Sequence, residues 1–408
     1  MREVPVPSGE GGGAPVAHPY LDPLVEDRHP ELYRSFYRFF LAIRDHDEGY
    51  NAQLNRQLNP PGVERDFESN RVAAAYYLNE ATRYVEALLD MLPRRQRAAL
   101  RPQRRVAETN DLRELLRILF DGGDPRAAFE ARRKAYLAKL FFDVDHNWEV
   151  QRGATHRDFF AALLERELFR YIVERREVDI AFDIAADGLA IDYRVGAPLP
   201  NEEVWRFRLH ELNLLQDGRP VRLNVYFHSI RSKREVLPYE YVRGQRIYHL
   251  ATREKWGALS LRRDASIVSK MLRKGVSDPR QIPDIVGAMF IVKNLLEVEV
   301  LKEALFDIVG GPMKIRDVVD TLTRPGDRSL LNRHSGAGYQ VYKGDLELLF
   351  PAVGDTPSYG FLVELQLYTL EGYLRTIHAD HYANHQQLKR RQFVEGIVPL
   401  LWPKPIYG

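Results

Sequence analysis

Cysteine is absent from the 408 residues, which excludes disulfides, thiolate metal sites and a cysteine nucleophile, and leaves the redox compartment open. No apolar run reaches bilayer-spanning length. The stretch from Met1 to Pro15 lacks an apolar core of signal-peptide length, so a soluble cytoplasmic protein without a membrane partner is expected. An excess of one charge is missing too. The 59 Lys and Arg nearly balance the 57 Asp and Glu, leaving a formal net charge of +2, so any case for nucleic-acid or nucleotide binding rests on local patches. Internal repeats are also lacking.

What is present changes character along the chain. Residues 1–29 are rich in Gly and Pro, offer little to bury, and are assigned no fold. Residues 30–178 read as a helical region: Leu32, Phe36, Phe39, Phe40 and Ile43 form one stripe, and a long helix is expected from Phe67 to Leu92, ended by Pro93. Further helices are expected at 110–121, where Asp111 and Glu114 have capping-box spacing, at 125–142 and at 156–176. Residues 179–250 read as a β-rich antiparallel segment. Asp217-Gly218 turns a hairpin whose second arm alternates Val221, Leu223, Val225 and Phe227 with Arg222, Asn224, Tyr226 and His228, one face buried and one wet.

Residues 251–408 alternate strand and helix: strands near 256–261, 284–292, 339–349 and 361–369, helices at 264–275, 295–309 and 370–392. The expected class is α+β, a C-terminal mixed sheet flanked by helices behind a helical region and a β-rich segment. Asp284 stands at the mouth of one apolar strand and Glu364 lies between Val363 and Leu365 in another. Carboxylates brought together on one sheet can hold a hard cation such as Mg2+. Arg262, Arg263, Lys270, Arg273 and Lys274 lie before or on the helix ahead of Asp284, with Lys270 and Lys274 on one face by i,i+4 spacing.

Residues 250–392 resemble the synthetase domain of the RelA/SpoT alarmone enzymes and the small alarmone synthetases. Ser266-Ile-Val-Ser-Lys-Met resembles the family's S-I-x-x-K-M helix, and Ile282-Pro-Asp-Ile-Val-Gly-Ala-Met resembles its metal-binding strand, with Asp284 on the aspartate. Ile315-Arg-Asp resembles a basic-Asp turn, Gly338-Tyr-Gln340 the step whose ring stacks on the acceptor base, and Glu364-Leu-Gln-Leu-Tyr-Thr the E-V-Q-I-R-T strand. Asp380-His381 matches a Glu-His pair more loosely. The resemblance implies Mg2+-dependent transfer of the β,γ-pyrophosphate of ATP to the 3′-hydroxyl of GDP, GTP, an adenosine nucleotide or the 3′ end of tRNA. It implies Asp284 and Glu364 as catalytic and metal-binding, and Arg262, Arg263, Ser266, Lys270, Lys274 and Arg316 toward ATP. Tyr339, Gln366 and His381 fall on the acceptor side.

The departures remove positive charge. Ser260 and Arg262 stand where the family has an Arg-x-Lys pair before the serine, Met289 and Tyr368 replace arginines, and Ala337 replaces an asparagine. A second reading therefore stands beside the enzyme: a catalytically silent nucleotide-binding or toxin-regulatory module, with a protein partner at the N-terminal region. Two other features have plain accounts. Arg94, Arg95, Arg97, Arg101, Arg104 and Arg105 form a cationic stretch that could meet RNA or simply be solvated, and His46-Asp47 and His146 lack further ligands at helical spacing for a hydrolase metal site.

Overall fold

The computed structural model describes residues 18–59, 62–184, 191–196, 204–216, 218–233, 265–324, 339–377 and 391–408. The expected strand at 256–261 and the rear of the expected helix 370–392 lie outside them. The chain divides into two compact units, Met1–Leu78 with Pro102–Tyr136 and Leu400–Gly408, and Asn79–Arg101 with Leu137–Pro399.

The first unit is helical. It contains α1 (Val25–Arg28), α2 (Pro30–Ile43), α3 (Asp47–Leu58), the first half of α4 (Phe67–Asp90), and, beyond α5 (Arg94–Leu100), α6 (Arg104–Glu108), α7 (Leu112–Phe120) and most of α8 (Pro125–His146). The apolar stripe of α2 delivers Phe40 and Ile43 to a core with Tyr50, Leu54, Ala74 and Leu116. Asp111 caps α7, accepting from the backbone N–H groups of Arg113 and Glu114. Three successive cations of α8 are buried, and each donates to main-chain carbonyls. Arg132 reaches Asp22, Arg133 reaches Leu401, and Lys134 reaches Val106, Ala107 and Thr109 at 2.9, 2.8 and 2.6 Å, closing the open end of α6.

The second unit is built on one mixed sheet in the order β2-β1-β3-β4-β5-β8-β7-β6. Its strands are β1 (Ile172–Ile184), β2 (Ile191–Val195), β3 (Val204–Gln216), β4 (Arg219–Ser232), β5 (Val286–Val292), β6 (Ile315–Asp320), β7 (Tyr342–Phe350) and β8 (Tyr359–Thr369). The helix expected at 156–176 runs instead as α9, Trp148–Glu167, its start capped by Asn147. The β-branched Ile172 and Val173 go to the opening of β1, because pairing with β3 overrides the helical period there. The β-rich segment and the C-terminal region, separate in the sequence reading, join through β4 and β5; local periodicity carries no record of which distant strands pair. Among the described residues no helix is long and apolar enough to cross a membrane.

One face of the sheet is covered by α9 and α11 (Leu295–Val309), which bury Phe160, Leu164, Val298, Leu301 and Leu305 against Val286, Ala288, Phe290, Val363, Leu365 and Leu367. Gly153 of α9 permits the close approach, since a Cβ there would lie 2.6 Å from Ser232 Oγ and 3.0 Å from Ile285. The other face carries Ile291, Val341 and Tyr368, packed with Leu370, Tyr373 and Leu374 at the end of β8 and in α12 (Leu370–Ile377). The even alternation expected along β4 breaks between Val225 and Phe227, where the register against β5 shifts by one residue. Tyr226 is buried with Leu223 and Val225, and His228 packs on Phe169 and Phe290 instead of facing water. A bulge exchanges the two faces for every later residue of the strand.

Candidate functional site

The second face turns polar toward the beginnings of β5 and β8. In the parallel pair Gly287 lies opposite Glu364 and Met289 opposite Gln366, and in the antiparallel pair Asp345 faces Glu364 and Lys343 faces Gln366. Register partners share a face, so Glu364, Gln366, Lys343 and Asp345 stand together around the bare backbone of Gly287. On the far side of Gly287 is Arg231 of β4, followed by Ser232 against Val286. Lys233 extends the pairing, its N–H donating to Ile285 O at 2.9 Å.

Asp284, one turn residue before β5, is 4% exposed. The ammonium groups of Lys233 and of Lys270, from α10 (Ala265–Lys274), both press on its Oδ2. Its Oδ1 is buried and accepts no hydrogen bond among the described residues. The rear of α4 supports α10, with Tyr84 hydroxyl 2.7 Å from Ser269 Oγ. Glu364 is 9% exposed; Lys343 Nζ lies 2.5 Å from Oε1 and Gln366 Nε2 donates to Oε2 at 2.5 Å. Gln366 Oε1 accepts from Tyr368 at 3.2 Å, and the Tyr368 and Tyr339 hydroxyls are 2.6 Å apart.

The electrostatics follow from this crowding. Burial alone would raise the Glu364 carboxyl, but Lys270, Lys343 and Lys233 outweigh it and hold it at about 2. Burial lowers Lys233 to about 8, with Glu364 opposing. Burial, then the neighbouring Lys233 charge, pushes Lys270 well below the ordinary lysine value. Burial also works against the Lys343 ammonium, yet Glu364 prevails and raises it. Asp345 is raised by burial and then by Glu364.

The sequence-derived candidates fall in three places. Asp284, Glu364, Lys270 and Gln366 converge, and both carboxylates feel the charges of Lys233 and Lys270. Tyr339 is partly buried at the apolar edge, its ring 6.2 Å from that of Tyr368 at 78°. Ser266 and Lys274 are exposed at opposite ends of α10, and Arg316 on β6 pairs with Glu347. Arg262, Arg263 and His381, with Ser260 and Ala337, lie outside the described residues. Of the arginine stretch, Arg97, Arg104 and Arg105 pair with Asp90, Glu108 and Asp124.

Sequence reasoning passed over Lys233, Lys343 and Asp345. Lys233 follows Arg231 and Ser232 at the end of β4, and residues 234–265 separate it from Ser266. The signal was its position at the end of a strand that pairs with the Asp284 strand, not its distance from the serine.

Magnesium-type ions prefer carboxylate and phosphate oxygens and retain water, so two carboxylates suffice. The unshared Oδ1 of Asp284 and the ionised Glu364 fit that donor set. Among the described residues no group of three or more His, Cys, Asp or Glu surrounds a common point suited to a metal.

No family model and no curated protein matches the chain. Solved structures do. Small alarmone synthetase 1 from Bacillus subtilis bound to its product pppGpp is 22% identical over 28% of this chain and 53% of its own, with a TM-score of 0.22. A second structure of that synthetase is 20% identical over 32% and 66%, TM-score 0.22. The protein smu.1046c from Streptococcus mutans UA159 is 16% identical over 32% and 64%, TM-score 0.21. The chain thus spans between about half and two thirds of the length of the structures it matches. At such scores the likeness carries no functional argument, which rests on the site itself.

Proposed function

We propose that the site catalyses transfer of pyrophosphate from ATP to the 3′-hydroxyl of a nucleotide, GDP or GTP, an adenosine nucleotide or the 3′ end of tRNA. The observation that carries this reading is the joining of Asp284 and Glu364 through shared lysines on one sheet face. Asp284 and Glu364 would hold a magnesium ion, which when bound neutralises charge on the ATP phosphates.

The chain's own residues account for the rest. Among the described residues Lys233 and Lys270 share Asp284 Oδ2, and a triphosphate offers each a separate oxygen, with Arg231 and Lys343 on the same face. Gly287 leaves the floor free for a ligand, its nearest neighbour to an added Cβ being Glu364 O at 3.8 Å. Glu364 accepts the proton of the 3′-hydroxyl as its oxygen bonds to the β-phosphorus; the bond from that phosphorus to the α,β-bridging oxygen breaks and AMP leaves. Positioning and charge stabilisation supply most of the rate in such transfers.

One observation favours a silent binding module: the Lys233 and Lys270 ammonium groups already neutralise Asp284, the carboxylate that transfer would need for its metal. Incubating the protein with labelled ATP, magnesium and each acceptor separates the readings. Label in an acceptor supports transfer. Nucleotide binding with no labelled product from any acceptor supports the silent module.

A further inference from the structure

One carboxylate of the site pairs with none of the described residues. Asp345 is 6% exposed and stands directly opposite Glu364 across β7 and β8, on the same face. Directly opposed residues have Cβ atoms about 5 Å apart, so the two carboxylates lie side by side. Among the described residues, the charged groups facing Asp345 are Glu364 from β8, Lys343 from its own strand, Asp317 from β6 and Lys270 from α10. The two lysines spend their ammonium groups on Glu364 and Asp284. Arg316, its register partner on β6, spends its guanidinium on Glu347. Asp345 forms no hydrogen bond or ion pair with any described residue.

The Asp345 oxygens keep contact with solvent, so the carboxylate is open to a donor from a ligand. Two acceptor groups side by side suit two adjacent hydroxyls. Phosphate has no donors to offer, and a guanine edge with two N–H groups engages one carboxylate as a fork instead of two on neighbouring strands.

We propose that Asp345 determines acceptor specificity by receiving the ribose 2′-hydroxyl while Glu364 receives the adjacent 3′-hydroxyl, so that the site selects ribonucleotides over 2′-deoxyribonucleotides. The inference rests on the pyrophosphate-transfer reading for its choice of ligand, but its test is binding, not turnover. Calorimetric affinities of the full chain for GDP, ADP and their 2′-deoxy counterparts are compared in the native protein, Asp345→Ala and Asp345→Asn. The native protein is expected to bind a ribonucleotide about tenfold more tightly than its deoxy partner, the scale of one hydrogen bond to a charged group. Asp345→Ala erases that ratio, and Asp345→Asn, which keeps an oxygen acceptor in place, retains part of it. A ratio near one in the native protein, or an unchanged ratio in Asp345→Ala, overturns the proposal. So does a marked fall in Tm for Asp345→Ala, because a carboxylate that pairs with none of the described residues should be dispensable to the fold. Ribose discrimination without any transfer product would refute the transfer reading and leave this one standing.

Discussion

Both units bury cations, and they do so in opposite ways. In the helical unit Lys134 has three carbonyl oxygens to itself, and Arg132 and Arg133 each hold a main-chain carbonyl. In the sheet unit Lys233 and Lys270 compete for a single carboxylate oxygen. The helical cations each hold fixed backbone carbonyls and so tie segments together. The sheet cations are underserved, and a polyanion would relieve their mutual repulsion. Burial of charge alone therefore does not distinguish the two places; the identity of the partners does.

Four perturbations would break or sharpen that contrast. Asp284→Asn and Glu364→Gln keep shape and remove charge, so each is expected to cut pyrophosphate transfer by about a thousandfold or more without unfolding the protein. Activity persisting in both, measured with labelled ATP, would dissolve the site. Lys134→Met orphans the carbonyls at the end of α6 and should cost about 3 kcal/mol, read as a lower denaturation midpoint. Lys270→Met should do the reverse. It relieves a crowded ammonium, leaves Tm unchanged or higher, and weakens binding of a non-hydrolysable ATP analogue about tenfold; a loss of stability like that of Lys134→Met would erase the contrast.

The smallest effect is a pH dependence. Burial, then His210 and Arg175, lowers His228 from 6.5 to about 4. Below pH 6.5 the unfolded chain binds that proton and the folded chain does not, so stability is full above pH 6.5 and falls as the pH drops toward about 4, where the loss levels off. His228→Phe, packed among Phe169 and Phe290, should flatten that slope in denaturant titrations at successive pH values. An unaltered slope would assign it to other groups.

The elements of the C-terminal region were largely legible. The helix expected at 295–309 is α11, Leu295–Val309, and the strand expected at 361–369 is the body of β8. Regular period and apolar runs suffice for that. Asp284 and Glu364 stood out because an ordered set of short patterns surrounds them, and the register places them near shared lysines. Lys233 was not, since proximity to Asp284 depends on β4 pairing with β5 across residues 234–264. Asp345 was invisible for another reason: between Gly344 and Leu346 it reads as one polar residue of an alternating strand, and only the register against β8 sets it beside Glu364.

The bulge at Val225–Phe227 gives the downstream part of β4 a parity. Ser232 lies beneath Gly153 on the helix-covered side, while Lys233 reaches Asp284 on the other. Excising one residue between Phe227 and Lys233 would exchange them, burying an ammonium under α9 and offering a hydroxyl to Asp284. Excising two would shorten the strand yet keep odd positions on their side. Tolerance to length change in this stretch should thus follow an even-odd rule, a property of the whole strand that no single substitution exposes.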